Sequence, residues 1–192
     1  IKRMGGKMKS KKKWLIAFFL MLILLSCGKK ENKGSNVENK SNTEQSEEQL
    51  STFKDKSIER VISDFEIISK ENKIKLDKFE NLKYENQNFY MAEIPSKADS
   101  NYTISYQGID IKGLVLKVGV VNNSDLAMIE DMVVNLIEVS DKRIAEDEAR
   151  AIYAGLLSDI KEDKLSNSAK YKNGITYSVK IEKTGALIFS AQ

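Results

Sequence analysis

Hydrophobic and polar positions divide this chain into three stretches of different character. Trp14 to Leu25 is an unbroken apolar run, preceded by Lys7, Lys9, Lys11, Lys12 and Lys13. Gly28 to Leu50 then offers only Val37 and Leu50 as sizeable apolar residues, too little buried surface to offset the entropy lost on ordering. From Ser57 onward the pattern becomes periodic and predicts the elements of a folded domain.

Ile58, Val61, Ile62, Phe65 and Ile68 recur at three- and four-residue steps, which marks one helix face with Ser57 as its N-cap. Lys70 to Asn86 receives no firm assignment. Asn88 to Ile94 reads as a strand ending at Pro95, the single proline, and Tyr102 to Gln107 alternates apolar and polar residues as a half-buried strand does. Ile109 to Val121 is a longer strand. Its apolar parity switches at Gly113, from Ile109 and Ile111 to Leu114, Leu116, Val118 and Val120, which predicts a bulge or tight turn there.

Asn123 or Ser124 caps a second helix with the face Leu126, Ile129, Met132, Val133, Leu136 and Ile137. A third follows Ser140-Asp141 and buries Ala149, Ile152, Tyr153, Leu156, Leu157 and Ile160, the short joint making the two antiparallel neighbours. Asn173-Gly174 predicts a two-residue hairpin between strands Ser168 to Lys172 and Ile175 to Lys183, and Thr184-Gly185 turns the chain into Ala186 to Ser190. The expected fold is α+β, an antiparallel sheet with helices packed on one face, in the order α-βββ-αα-βββ.

The apolar run is too short for a stable transmembrane span, since a helix of that length reaches roughly 18 Å against a hydrocarbon core of roughly 30 Å. Lysines, an apolar stretch and a small residue at a cut describe an export signal. Its last four residues, Leu24-Leu25-Ser26-Cys27, resemble the lipobox of bacterial lipoproteins. The resemblance covers roughly Met8 to Cys27. It implies that the Cys27 thiol is alkylated with diacylglycerol, that a lipoprotein signal peptidase cuts between Ser26 and Cys27, and that lipoprotein-processing enzymes are partners. Gly28 follows the cysteine, so the aspartate associated with inner-membrane retention in double-membrane bacteria is missing. Met8 gives a signal of ordinary length and Met4 a longer one, leaving residues 1–7 as an upstream piece. The expected organisation is a signal peptide over 1–26, a lipidated cysteine and flexible tether over 27–56, and one globular domain over 57–192.

Removing the signal reverses the sign of the charge. The full chain carries +3, but residues 1–26 hold seven of the 31 basic residues and none of the 28 acids, which leaves 24 bases, 28 acids and a net −4. No basic excess remains to release counterions from nucleic acid, so no nucleic-acid partner is expected. The chain has no histidine and one cysteine, which lipidation consumes. Serine-histidine and cysteine-histidine nucleophiles are therefore excluded, as are the usual histidine and cysteine metal sites, while carboxylate-only chemistry, a serine-lysine pair and oxygen-ligand calcium binding stay open. No cofactor and no metal site are expected.

Two clusters stand out as candidate chemistry. Glu146-Asp147-Glu148 cannot converge on one ligand, because successive helical residues point about 100° apart, and complementing the helix dipole explains them. Tyr84, Phe89, Tyr90, Tyr102 and Tyr106 gather in the first strand region, and Tyr90, Tyr102 and Tyr106 are the candidate ligand-binding aromatics. The functional expectation is a membrane-anchored, extracytoplasmic domain that binds or scaffolds an envelope protein or glycan without catalysis. The alternatives are an envelope hydrolase with two facing carboxylates about 5–9 Å apart and a surface immunity or inhibitor protein.

Overall fold

The computed structural model describes residues 52–192, so the apolar run, Ser26, Cys27 and most of the expected tether lie outside the described residues. Among the described residues, three helices cover one face of a seven-stranded antiparallel sheet: α1 (Ile58–Glu71), α2 (Leu126–Ser140) and α3 (Glu146–Ser158). The strands are β1 (Glu80–Tyr84), β2 (Gln87–Glu93), β3 (Asn101–Gln107), β4 (Asp110–Val120), β5 (Ser166–Lys170), β6 (Thr176–Ile181) and β7 (Ala186–Ala191). They lie in the order β1-β2-β3-β4-β7-β6-β5. The α+β architecture is thus as the periodicity predicts, with β1 as one further strand at the edge.

Ser57 caps α1 through its hydroxyl, which accepts the Arg60 amide at 3.2 Å. The helix buries Val61 and Phe65 and half-buries Ile58, Ile62 and Ile68. Folded structure begins before this cap, contrary to the expected boundary at Ser57. Thr52 forms an isolated bridge with Asp141, Phe53 is wholly buried, and Lys56 is buried beside Asp64.

Two cross-strand rows form the floor beneath the helices. Tyr102, Leu116, Phe189 and Val179 stand side by side across β3, β4, β7 and β6, and Ile104, Leu114, Ala191 and Tyr177 form the next row. All eight are buried. Removing such side chains from water supplies about 1.5–3 kcal/mol for each large one. Phe65 of α1 meets Tyr102 and Phe79 at centroid distances of 4.8 and 5.6 Å, and Tyr153 of α3 meets Phe189 edge-on at 6.0 Å.

β4 carries two irregularities. Ser105 opposes Gly113 while Tyr106 opposes Ile111, so Lys112 is the extra residue of the bulge that the parity switch predicts. A second lies between Val118, opposite Leu187, and Val120, opposite Ala186, which leaves Gly119 extra. There a Cβ would stand 2.3 Å from the Ala98 carbonyl oxygen, so glycine is required by close approach. The second shift also turns Val120 outward, and it is 58% exposed rather than part of the inward face.

Several local expectations need correction. Ile109 is not a strand residue; it follows Gly108 (φ 63) in the two-residue turn between Gln107 and Asp110 and is 88% exposed. The β5–β6 connection has three residues, because Tyr171 receives the Gly174 amide and pairs onward with Ile175, and Gly174 alone adopts a positive φ of 82°. This is the type I turn with a left-handed glycine bulge. The same arrangement recurs at Glu182–Ala186 with Gly185 at φ 81. β5 runs over Ser166–Lys170, two residues earlier than the expected Ser168 to Lys172. Neither Asn123 nor Ser124 caps α2; both lie in a 3-10 turn, Asn123–Asp125, that leads into it.

Candidate functional site

The three candidate tyrosines separate in the fold. Tyr102 is fully buried and its hydroxyl donates to the Met132 carbonyl at 2.7 Å, so it ties α2 to the sheet and presents nothing to a ligand. Burial pushes its hydroxyl pKa far above the ordinary tyrosine value. Tyr90 and Tyr106 sit on the same sheet face but farther along it, half-buried, with ring centroids 5.5 Å apart and planes tilted by 31°. Asn81 of β1 links them: its amide nitrogen donates to the Tyr90 hydroxyl at 3.3 Å, and the Tyr106 hydroxyl donates to its carbonyl oxygen at 3.2 Å.

Register explains the grouping. Asn81 is the direct cross-strand partner of Tyr90, and Asn88 is flanked by Lys83 on β1 and Tyr106 on β3. Side chains two residues apart share a face, so Asn81, Lys83, Asn88, Tyr90 and Tyr106 form one block. Helix packing on the sheet runs over β4, β7, β5 and β6, while α1 leans on α2 and reaches β3 through Phe65. Under the helices this face is Leu, Ile, Val, Phe and Ala with two bonded tyrosines. In the block it becomes tyrosine, asparagine and lysine, with Asn81 and Lys83 exposed.

Sequence reasoning missed Asn81, Lys83 and Asn88. Asn81 and Lys83 fall in the stretch without an assignment, and their shared face with Tyr90 follows only from the β1–β2 register.

The charged groups are organised as clamps. Buried Asp64 meets Lys56 Nζ at 3.0 Å, Lys142 Nζ at 2.6 Å and Arg60 Nε at 3.4 Å, which joins the entering chain, α1 and the α2–α3 joint. Asp141 takes a bidentate pair from Arg143, at 3.0 and 2.9 Å, and an amide from Asn173 at 3.0 Å. Burial alone would raise the Asp141 carboxyl; the Arg143 and Asn173 hydrogen bonds outweigh it and hold the pKa below the usual carboxylate value.

Arg150 gathers Glu130, Asp131 and Glu146 at 2.8–3.0 Å, so these acids surround a cation rather than a cleft. Glu146, Asp147 and Glu148 occupy the first turn of α3, as the dipole argument expects, and Glu148 also accepts from Tyr171 and Lys172. Among the described residues no group of three histidine, cysteine, aspartate or glutamate side chains is placed to hold a metal ion.

No family model, curated protein or solved structure matches this chain.

Proposed function

We propose that this chain is a bacterial lipoprotein held at the outer side of a membrane through diacylglyceryl-Cys27, with a folded domain that binds a partner without catalysing a reaction. The observation that carries the reading is the Leu24-Leu25-Ser26-Cys27 sequence behind an apolar run and a lysine cluster. Two or more acyl chains give stable anchoring at about 0.8 kcal/mol per buried methylene. The non-catalytic half is supported by the missing histidine and by acids that serve as counter-ions to Arg150, Lys56, Lys142 and Arg143. The block of Asn81, Lys83, Asn88, Tyr90 and Tyr106 is the proposed contact surface.

Metabolic labelling with a palmitate analogue tests the anchor. Label on the wild-type chain in the membrane fraction, lost in Cys27→Ala with accumulation of the uncut precursor, is the expected result. An unlabelled wild-type chain overturns it.

A further inference from the structure

The geometry points to the block formed by Tyr90, Tyr106, Asn81, Asn88 and Lys83 as a site for a neutral glycan, a run of one or two pyranose rings; this rests on the binding role proposed above and names its ligand class. Three observations converge on it. The first is chemical. A pyranose ring presents a face of C–H groups that stacks on an aromatic ring, and hydroxyls that both donate and accept. Tyr90 and Tyr106 pack with ring centroids 5.5 Å apart and planes tilted by 31°, and both are only half-buried, so aromatic surface is left open for such a face.

The second is the hydrogen-bonding capacity left over. Tyr90 accepts from Asn81 and so keeps its own proton to donate; Tyr106 donates to Asn81 and so keeps its lone pairs; Asn81 keeps one amide hydrogen. The Asn81 amide thereby sets opposite roles at the two hydroxyls. A ligand hydroxyl can accept from one tyrosine and donate to the other. Asn88 and Lys83 add donors on the flank; four of the five residues are uncharged, so most of the contacts on offer are neutral hydrogen bonds and ring faces, which sugar hydroxyls and C–H groups match.

The third is size. A tyrosine offers about 150–250 Å² when fully covered, so two half-buried tyrosines with their neighbours present a few hundred Å². A stable protein interface takes about 800 Å² from each partner. The block is adequate for sugar rings and small for a folded protein.

The test is amide chemical-shift perturbation on the full chain in phosphocholine micelles, titrated with chitotetraose, maltotetraose and, as a peptide control, trialanine up to about 10 mM, where a Kd on the order of 1 mM is visible. The expected result is saturable shifts centred on Asn81, Lys83, Asn88, Tyr90 and Tyr106 with a tetrasaccharide and none with trialanine. Tyr106→Ala should weaken binding by about tenfold or more and Tyr106→Phe, which keeps the ring, by only a few-fold. Should Tyr106→Ala disturb the fold, Asn81→Ala at the exposed edge serves instead, with a few-fold loss expected. Shifts with trialanine alone would assign a peptide ligand and overturn the glycan. Absence of shifts with either sugar, or sugar shifts untouched by the Tyr106 and Asn81 variants, would overturn it as well. The palmitate labelling of Cys27 is read separately, so failure of the glycan and failure of the anchor are distinguishable.

Discussion

Lys56 Nζ lies 3.0 Å from Asp64 Oδ2, with 4% of the lysine side chain and none of the aspartate side chain exposed. Breaking one member of a buried pair costs about 3–5 kcal/mol because the other is left uncompensated. Here Lys142 stays at 2.6 Å from the same carboxylate, so Lys56→Ala should cost less, about 2 kcal/mol. The double replacement Lys56→Met with Asp64→Leu removes both desolvation penalties and should be near neutral. Urea denaturation of the three proteins measures this, and a double variant weaker than Lys56→Ala would contradict it.

The acid sensitivity of the fold should pass through Asp141. Its carboxyl titrates below the unfolded value, about 3.9. The native state therefore binds this proton less readily than the unfolded state. The stabilisation is present above the unfolded pKa and is lost as pH falls through the folded one. Thermal melts of wild type and Asp141→Asn between pH 7 and pH 3 should converge towards the acid end. A constant gap across that range would remove Asp141 as the source.

Glu138 carries the opposite sign. Burial, then the neighbouring Glu146 and Glu71, raise its pKa above the ordinary glutamate value despite the Asn72 hydrogen bond. The native state holds this proton more readily, so the ionised form weakens the fold at neutral pH and the weakness fades on acidification. Glu138→Gln should raise Tm at pH 7 and change it little near pH 4. A lower Tm at pH 7 would show that the carboxylate has a stabilising partner.

Two glycines should respond oppositely to alanine. At Gly119 the new methyl would meet the Ala98 carbonyl oxygen at 2.3 Å, so the bulge must shift, at about 1–3 kcal/mol. Gly155 in α3 has nothing within 4 Å of the Cβ position, and Gly155→Ala should stabilise by about 0.5–1 kcal/mol. Equal responses at the two sites, read from denaturant midpoints, would refute the close approach at Gly119.

The β5 edge is blunted by one side chain. Pairing of Ile181 with Leu165 and of Tyr171 with Ile175 points the odd-numbered backbone groups of β5 at β6, so the Ser168 amide faces outward. Asn167 Oδ1 accepts that amide at 2.9 Å while its nitrogen donates to the Leu156 carbonyl at 3.0 Å. Asn167→Ala should cost about 1 kcal/mol for the lost bonds and expose a pairing edge. Light scattering should then show concentration-dependent self-association that wild type lacks; a variant as monodisperse as wild type would count against this role.

What could be read in the chain depended on whether a residue's neighbours were local. The Ser57 cap, the Gly113 bulge and the three helix faces rest on spacings of a few residues and a single period, and each is visible without tertiary knowledge. Glu80–Tyr84 hid because an edge strand reading Glu-Asn-Leu-Lys-Tyr has no dominant apolar face. Tyr102 and Tyr106 are alike in sequence, alternating within one strand. Only the placement of α1 and α2 over one end of it makes the first a core residue and leaves the second half-open. Asn81 gains its meaning from Tyr90 and Tyr106 on two other strands, and local sequence carries no sign of that.

The way the chain enters the fold also has a mechanical side. Tension arriving from the amino-terminal direction falls first on the Thr52–Asp141 bridge, the buried Phe53 ring and the Lys56–Asp64 pair. These lie in series ahead of α1. A pull would have to peel this short strap, drawing an aromatic ring and a paired charge into water, before α1 could unwind from its amino-terminal end. Residues 52–56 thus meet a pull on the leading chain before the rest of the domain does.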